Sequence, residues 1–181
     1  MQTLDNLNED FISALISGSL SADIEPAQDI YARLLGNWKL KMVDYYPDGR
    51  IRREHTGTWH FSRTLEGRAI QDVLVSPEFA DRSFNKSIIG NRYGTTFRMM
   101  DPKTHQWHVD WFNPVSGIHN QLTALVEGDR IIQETVEING LIMKWIFENI
   151  TSDSFHWYGE SSSDKGKTWI LDVEFFAERL H

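Results

Sequence analysis

The feature that most constrains this chain is a change of hydrophobic period at Gly36, after which turn signals recur about every 10 to 14 residues. They are Pro47-Asp48-Gly49, Glu66-Gly67, Asp101-Pro102, Pro114 to Gly117, Glu127-Gly128-Asp129, Asn139-Gly140, Ser152-Asp153 and Asp164-Lys165-Gly166. Asn-Gly and Asp-x-Gly supply the positive φ angles that tight hairpins need. Between the turns roughly ten strands are expected, starting near residues 37, 50, 67, 93, 106, 118, 130, 141, 154 and 168. Short hairpins make neighbours in sequence neighbours in the sheet, and a twisted meander of this size loses its edges by closing. The expected fold class is all-β, an up-and-down antiparallel β-barrel of about ten strands preceded by one or two short N-terminal helices.

Residues 1–35 read as a helical segment packed on a barrel domain of residues 36–181. Phe11, Ile12, Leu15 and Ile16 share one helical face. A second helix is expected to have Pro26 in its first turn and to stack Ile30, Tyr31, Leu34 and Leu35. Residues 76–92 break the strand rhythm and carry Phe79, Phe84, Ile88 and Ile89, which suggests a loop folded over a barrel mouth.

Composition narrows the function classes. The formal charge is −8, from 18 Lys and Arg against 26 Asp and Glu, so neither nucleic acid nor an anionic membrane is an expected partner. The arginines of Arg50-Ile51-Arg52-Arg53 are expected to split between two strand faces without forming a patch. There is no cysteine, hence no disulfide framework or thiolate chemistry. The N-terminal residues have neither the basic start nor the apolar core of a secretory signal, and a cytoplasmic location is the simplest expectation.

Leu35-Gly36-Asn37-Trp38 opens the first strand and Phe175-Phe176-Ala177-Glu178-Arg179 closes the last. This pairing resembles the calycins, in which a Gly-x-Trp on the first strand plugs the barrel base and a basic residue of the final strand lies across the indole. The finer pattern is similar to an uncharacterised bacterial family of lipocalin-like barrels over about residues 34 to 179. It is carried by Gly57-Thr58-Trp59-His60-Phe61, Gly67-Arg68-Ala69-Ile70-Gln71-Asp72, Tyr93-Gly94-Thr95-Thr96-Phe97-Arg98, Trp107 and Trp111, Trp145, Thr151 to Trp157 and Ser163 to Trp169. The resemblance implies the fold and transfers no activity. Fatty-acid-binding proteins of this superfamily carry an Arg-x-Tyr pair on the last strand, where this chain has Glu174, Glu178 and Arg179, so that device is not expected here. Ser162 to Trp169 also resembles the Ser-x-Asp-x-Gly-x-Thr-Trp hairpin of sialidase propellers, a structural turn with Asp164 bonding the turn amides and Trp169 packed inward.

Strand alternation places Trp38, Leu40, Met42, Asp44 and Tyr46 in the interior, with Trp59, Phe61, Trp107, Val109, Trp111, Asn113, Met143, Trp145, Phe147, Phe155 and Trp157. Gln71, Arg98, His119, Gln121 and Gln133 are the candidate inward polar groups. Aromatic walls with a few convergent polar groups suit a small-molecule pocket, and seven tryptophans could equally fill a solid barrel. The candidate ligand-binding set is Trp59, Phe61, Gln71, Arg98, Trp111, Asn113, His119, Gln121, Trp145 and Trp157. The expected function is binding of a small apolar or aromatic molecule in an internal cavity.

Two alternatives stand beside that reading. One is a cofactor-independent isomerase, cyclase or decarboxylase using Asp44, Tyr46, Arg98 and His119 as acid, base and anion-stabilising groups. The other is an interaction module, with a homodimer as one form. No metal or cofactor is expected: His105 and His108 fall on opposite strand faces, and no Gly-rich phosphate loop opens a helix.

Overall fold

A computed structural model of the chain describes residues 4–78, 92–135 and 140–181. Helix α1 (Leu4–Leu15) leads into a two-residue strand β1 (Ile16–Ser17), and two 3₁₀ turns follow at Pro26–Gln28 and Ala32–Leu34. Ten longer strands complete the chain: β2 (Gly36–Tyr45), β3 (Ile51–Thr64), β4 (Ala69–Ser76), β5 (Arg92–Met100), β6 (Trp107–Asn113), β7 (Ile118–Glu127), β8 (Arg130–Thr135), β9 (Ile142–Glu148), β10 (Ser154–Ser162) and β11 (Ile170–Arg179). Each start lies within two residues of the position expected from the turns. All neighbours pair antiparallel in chain order, and β11 returns to β2, so β2 to β11 form a closed ten-stranded barrel of the calycin kind. β1 adds only two residues beside the end of β3.

The second N-terminal helix is not there. Its expected stripe survives as two short 3₁₀ turns, because the segment bends to press Tyr31 and Leu34 into the barrel end, both fully buried. Ile30 and Leu35 pack partly against the same core. Two indoles hold this plug by its carbonyls: Trp38 Nε1 donates to Leu34 O at 2.7 Å and Trp107 Nε1 to Gln28 O at 3.0 Å. On α1, Phe11 and Ile12 are exposed, so the apolar face expected to pack is open to solvent.

The closure expected of Trp38 and Arg179 is present. The guanidinium carbon of Arg179 lies 4.0 Å from the centre of the buried Trp38 ring. The same guanidinium donates to the carbonyls of Leu35 (2.8 Å), Arg33 (3.3 Å) and Ser152. Gly36, at φ +116°, is what allows this approach: a Cβ there would stand 2.5 Å from Arg179 Nη1.

Above the plug the lower half of the barrel is filled by Phe61, Phe147, Phe155 and Phe175 around Trp59. At the other end, the Ser162 to Trp169 hairpin is organised by Asp164. Its carboxylate accepts from Ser162 Oγ and from the Lys167 and Thr168 amides at 2.8 to 3.0 Å, and Gly166 takes φ +79°. Trp169 does not pack inward. Its indole donates to Gly166 O at 3.1 Å on its own turn and lies under the Lys144 ammonium at 4.1 Å.

Candidate functional site

Strand pairing decides which side chains face the interior. Trp38 pairs with Trp59, Trp59 with Leu74 and Leu74 with Gly94, so the inward sets of β2, β3, β4 and β5 include Met42, Trp59, Asp72, Leu74, Thr96 and Arg98. Around the other side Trp111 pairs with Asn120, Gln133 with Trp145, and Trp157 with both Phe147 and Phe175. In the upper half these residues leave a cavity of about 180 Å³. Its walls are Trp59, Trp111, Trp145, Trp157, Phe175, Leu74, Ile118 and Val173, and its polar members are Arg92, Arg98, Thr96, Asn113, Asn120 and Gln133.

Of the ten residues expected to bind a ligand, Trp59, Arg98, Trp111, Asn113, Trp145 and Trp157 line this cavity. Phe61 points inward, but it sits lower, packed against Trp59 and Phe147. Gln71, His119 and Gln121 are outside, which corrects their assignment to the interior. In the β6–β7 hairpin Asn113 pairs with Ile118, which puts the even-numbered residues of β7 inside. His119 and Gln121 therefore bond Asp110 on the outer surface, at 2.9 and 3.1 Å, and His119 stacks on Phe112. Gln71 alternates out between Ile70 and Asp72 and donates to Thr95 Oγ1 at 3.0 Å.

The catalytic grouping of Asp44, Tyr46, Arg98 and His119 is not assembled. Tyr46 lies one residue past the end of β2, in the β2–β3 turn, where it is exposed beneath Arg50. His119 is outside, and Arg98 belongs to a buried network at the cavity floor.

Arg98 does not pair with Asp44. Its partner is the fully buried Asp72, 2.5 Å away, whose other oxygen accepts from the Thr96 amide and hydroxyl. The guanidinium also approaches Gln133 Oε1 at 3.4 Å and lies 5.0 Å from the Tyr31 ring centre. Tyr31 donates its hydroxyl to the same Gln133 oxygen, and burial pushes its pKa far above the ordinary phenol value. This network is a satisfied ion pair tying plug, barrel wall and cavity floor together.

A second polar cluster stands at the upper strand ends, and sequence alternation missed it. Asp44, fully buried, receives Arg92 at 2.6 Å and Arg53 at 3.1 Å, with Arg52 at 3.7 Å. His55 closes the group, 3.5 Å from Asp44, 3.0 Å from Arg92 Nη1 and 2.8 Å from Ser76 Oγ. Burial alone would raise the pKa of Asp44, but the His55 and Arg92 hydrogen bonds and the Arg92 charge outweigh it and hold the carboxyl well below its ordinary range. Arg52 and Arg53 thus converge on one carboxylate instead of separating, and Arg92 brings a third guanidinium from β5. Arg52 also feels Asp172, whose own carboxyl burial pushes up.

Trp59 Nε1, Trp157 Nε1 and Gln133 Nε2 are buried and have no acceptor among the described residues. All three belong to residues that line the cavity, and all three are donors. No group of three or more His, Asp and Glu side chains suited to a metal ion occurs among the described residues. His105 instead meets Gln28 at 2.8 Å. The lid expected of residues 76–92 falls largely outside the described residues.

No family model matches the chain, and no curated protein matches it. Among solved structures, the S-type phycobiliprotein lyase CPES from Guillardia theta superposes with a TM-score of 0.55 at 10% identity, over 88% of this chain and 95% of that one. That likeness shows a shared barrel and no more. A protein of unknown function of the DUF3598 family from Nostoc punctiforme aligns over 87% of this chain and 100% of its own at 9% identity, with a TM-score of 0.28 that carries no argument. Resemblance to the lipocalin-like barrels therefore holds at the level of the fold. Among the described residues no helix is long and apolar enough to cross a membrane.

Proposed function

We propose that the protein binds a small planar, largely aromatic molecule in the upper half of its barrel. The observation that carries this reading is the cavity itself, about 180 Å³ with four indoles and Phe175 in its walls. Cavities of roughly 150 Å³ accept a benzene-sized guest, so one ring or a fused pair is the scale of ligand that fits. Tryptophan faces and edges offer stacking at centroid spacings a flat guest can join; Trp157 already stacks on Phe175 at 4.3 Å and meets Trp59 edge-on at 5.9 Å. The lower barrel, the plug and the Trp38–Arg179 closure supply rigidity below the site. A barrel of the same fold in a phycobiliprotein lyase agrees with small-molecule binding in general terms.

Calorimetric titration with indole and with naphthalene tests the reading, alongside a Val173→Phe variant that fills the cavity from β11. Saturable binding accompanied by a change in tryptophan emission, and weakened at least about tenfold by the substitution, is the expected result. Absence of saturable binding by either probe overturns it.

A further inference from the structure

We propose that the ligand is an anion: a planar aromatic or conjugated carboxylate whose ring occupies the tryptophan cage and whose carboxylate is received by Arg92. This rests on the cavity being a ligand site and adds the chemical class of what enters it.

Among the described residues, Arg92 is the one common to the cavity wall and the upper polar cluster. Its guanidinium bonds Asp44 and lies 5.7 Å from the ring centre of Phe175, one of the cavity aromatics. The cluster holds three arginines around one buried carboxylate. Asp44 Oδ2 is already served by Arg53 at 3.1 Å, with Arg52 and His55 at 3.7 and 3.5 Å. Turning Arg92 toward a second carboxylate would therefore leave Asp44 paired. Arg52 and Arg53 are 53% and 41% exposed and Arg52 also lies near Asp172, so it is Arg92, 23% exposed and part of the cavity wall, whose charge a ligand anion would meet. Arginine also suits the role chemically, because its fork matches a carboxylate in bidentate fashion.

The unpartnered groups below point the same way. Trp59 Nε1, Trp157 Nε1 and Gln133 Nε2 can only donate, so a ligand that satisfies them must bring acceptors. Asp72 and Asp44, the inward carboxylates described above, are already held by arginines, and neither is left to receive a ligand cation. A neutral hydrocarbon would leave the three donors unmet, and a cationic ligand would face Arg92 and Arg98.

Matched probe pairs decide the matter: naphthalene against 2-naphthoate, and indole against indole-3-carboxylate, titrated into the intact protein at low and high salt. The carboxylates should bind at least about tenfold more tightly than their neutral partners at low salt, and the advantage should shrink as salt rises. Arg92→Met should erase the difference between partners. Arg92→Lys, which keeps the charge should the methionine variant fold poorly, should retain part of it. Equal affinity within each pair overturns the anion assignment and leaves the pocket reading standing. A carboxylate advantage unchanged in Arg92→Lys and Arg92→Met assigns the anion elsewhere and overturns the role of Arg92. No binding by any of the four probes overturns both readings together.

Discussion

Replacing Arg179 with alanine removes a guanidinium that stacks 4.0 Å from the Trp38 ring centre and donates to three carbonyls, those of Leu35, Arg33 and Ser152. A cation over tryptophan contributes about 0.5 to 2 kcal/mol, the upper part of the range applying when the ring is fully buried, as Trp38 is. The three hydrogen bonds add less than buried charged bonds do, because the side chain is only half-buried and water can replace it at each carbonyl. Together they support a loss of about 2 to 3 kcal/mol, which in a chain of this size lowers Tm by roughly 4 to 12 °C. Arg179→Lys keeps a cation over the ring and loses the fork, so it should fall between the parent and Arg179→Ala. Thermal unfolding followed by circular dichroism, with urea titration to confirm ΔG, measures all three. An alanine variant melting with the parent, or a lysine variant as unstable as alanine, would refute the closure argument. Gly36→Ala provides an independent check on the same contact, since its Cβ would stand 2.5 Å from Arg179 Nη1 at a φ that alanine resists.

Three further outcomes follow from the polar networks. Arg98→Met should destabilise by about 3 to 5 kcal/mol by stranding the buried Asp72, whereas adding Asp72→Leu should restore most of that loss; a double variant no better than the single one would contradict it in urea titrations. Asp44 titrates below its ordinary range in the folded protein, so its contribution to stability is present above the unfolded pKa of about 3.9 and is lost as pH falls from there toward the folded value. Asp44→Asn should accordingly flatten the fall of Tm with pH below about 4, and an unchanged acid limb would remove Asp44 from the account. Asp164, held by the turn amides and the Thr168 and Ser162 hydroxyls, should titrate near 2 by carbon-detected NMR, and an ordinary carboxylate midpoint would show that the hairpin bonds do not persist in solution.

The strands were legible because turn chemistry is local. Each hairpin writes its own Asp, Asn and Gly into the sequence, so strand starts could be placed to within two residues without knowing what pairs with what. Phase was harder. Which alternate set of a strand faces inward depends on the register across the preceding turn, and a shift of one reverses it. On β7 the sequence did hold the answer: Ile118, Leu122, Ala124 and Val126 share one parity, while His119, Gln121 and Thr123 occupy the other. Choosing the polar set as pocket-facing overrode that pattern. On β4, Ile70, Asp72 and Leu74 differ little in polarity from Gln71, Val73 and Val75, and only pairing resolves the face. The second N-terminal helix failed for another reason. Its stripe marked residues that would be buried, but a plug inserted into a barrel end is bent by the walls it meets.

The upper cluster shows where alternation gives out altogether. Arg52 and Arg53 are consecutive, so an ideal strand would aim them to opposite faces, yet both reach Asp44. They lie at the start of β3, where Asp44 pairs with Arg53 and Tyr45 with Ile51; Arg52 is the extra residue of this bulge, so the ladder loses its register and both long side chains can turn toward one buried charge. Arg92 comes from the start of β5, beyond the stretch that carries no strand pattern, and no sequence spacing links it to Asp44. What draws the four together is electrostatic. A fully buried carboxylate must be paired, and at a strand end the nearest flexible cations supply the pairing. One arginine would have met that need. The three that answer are not alike: Arg52 and Arg53 are half exposed, whereas Arg92 is also a wall of the aromatic cavity, and it is on Arg92 that the anion proposal rests.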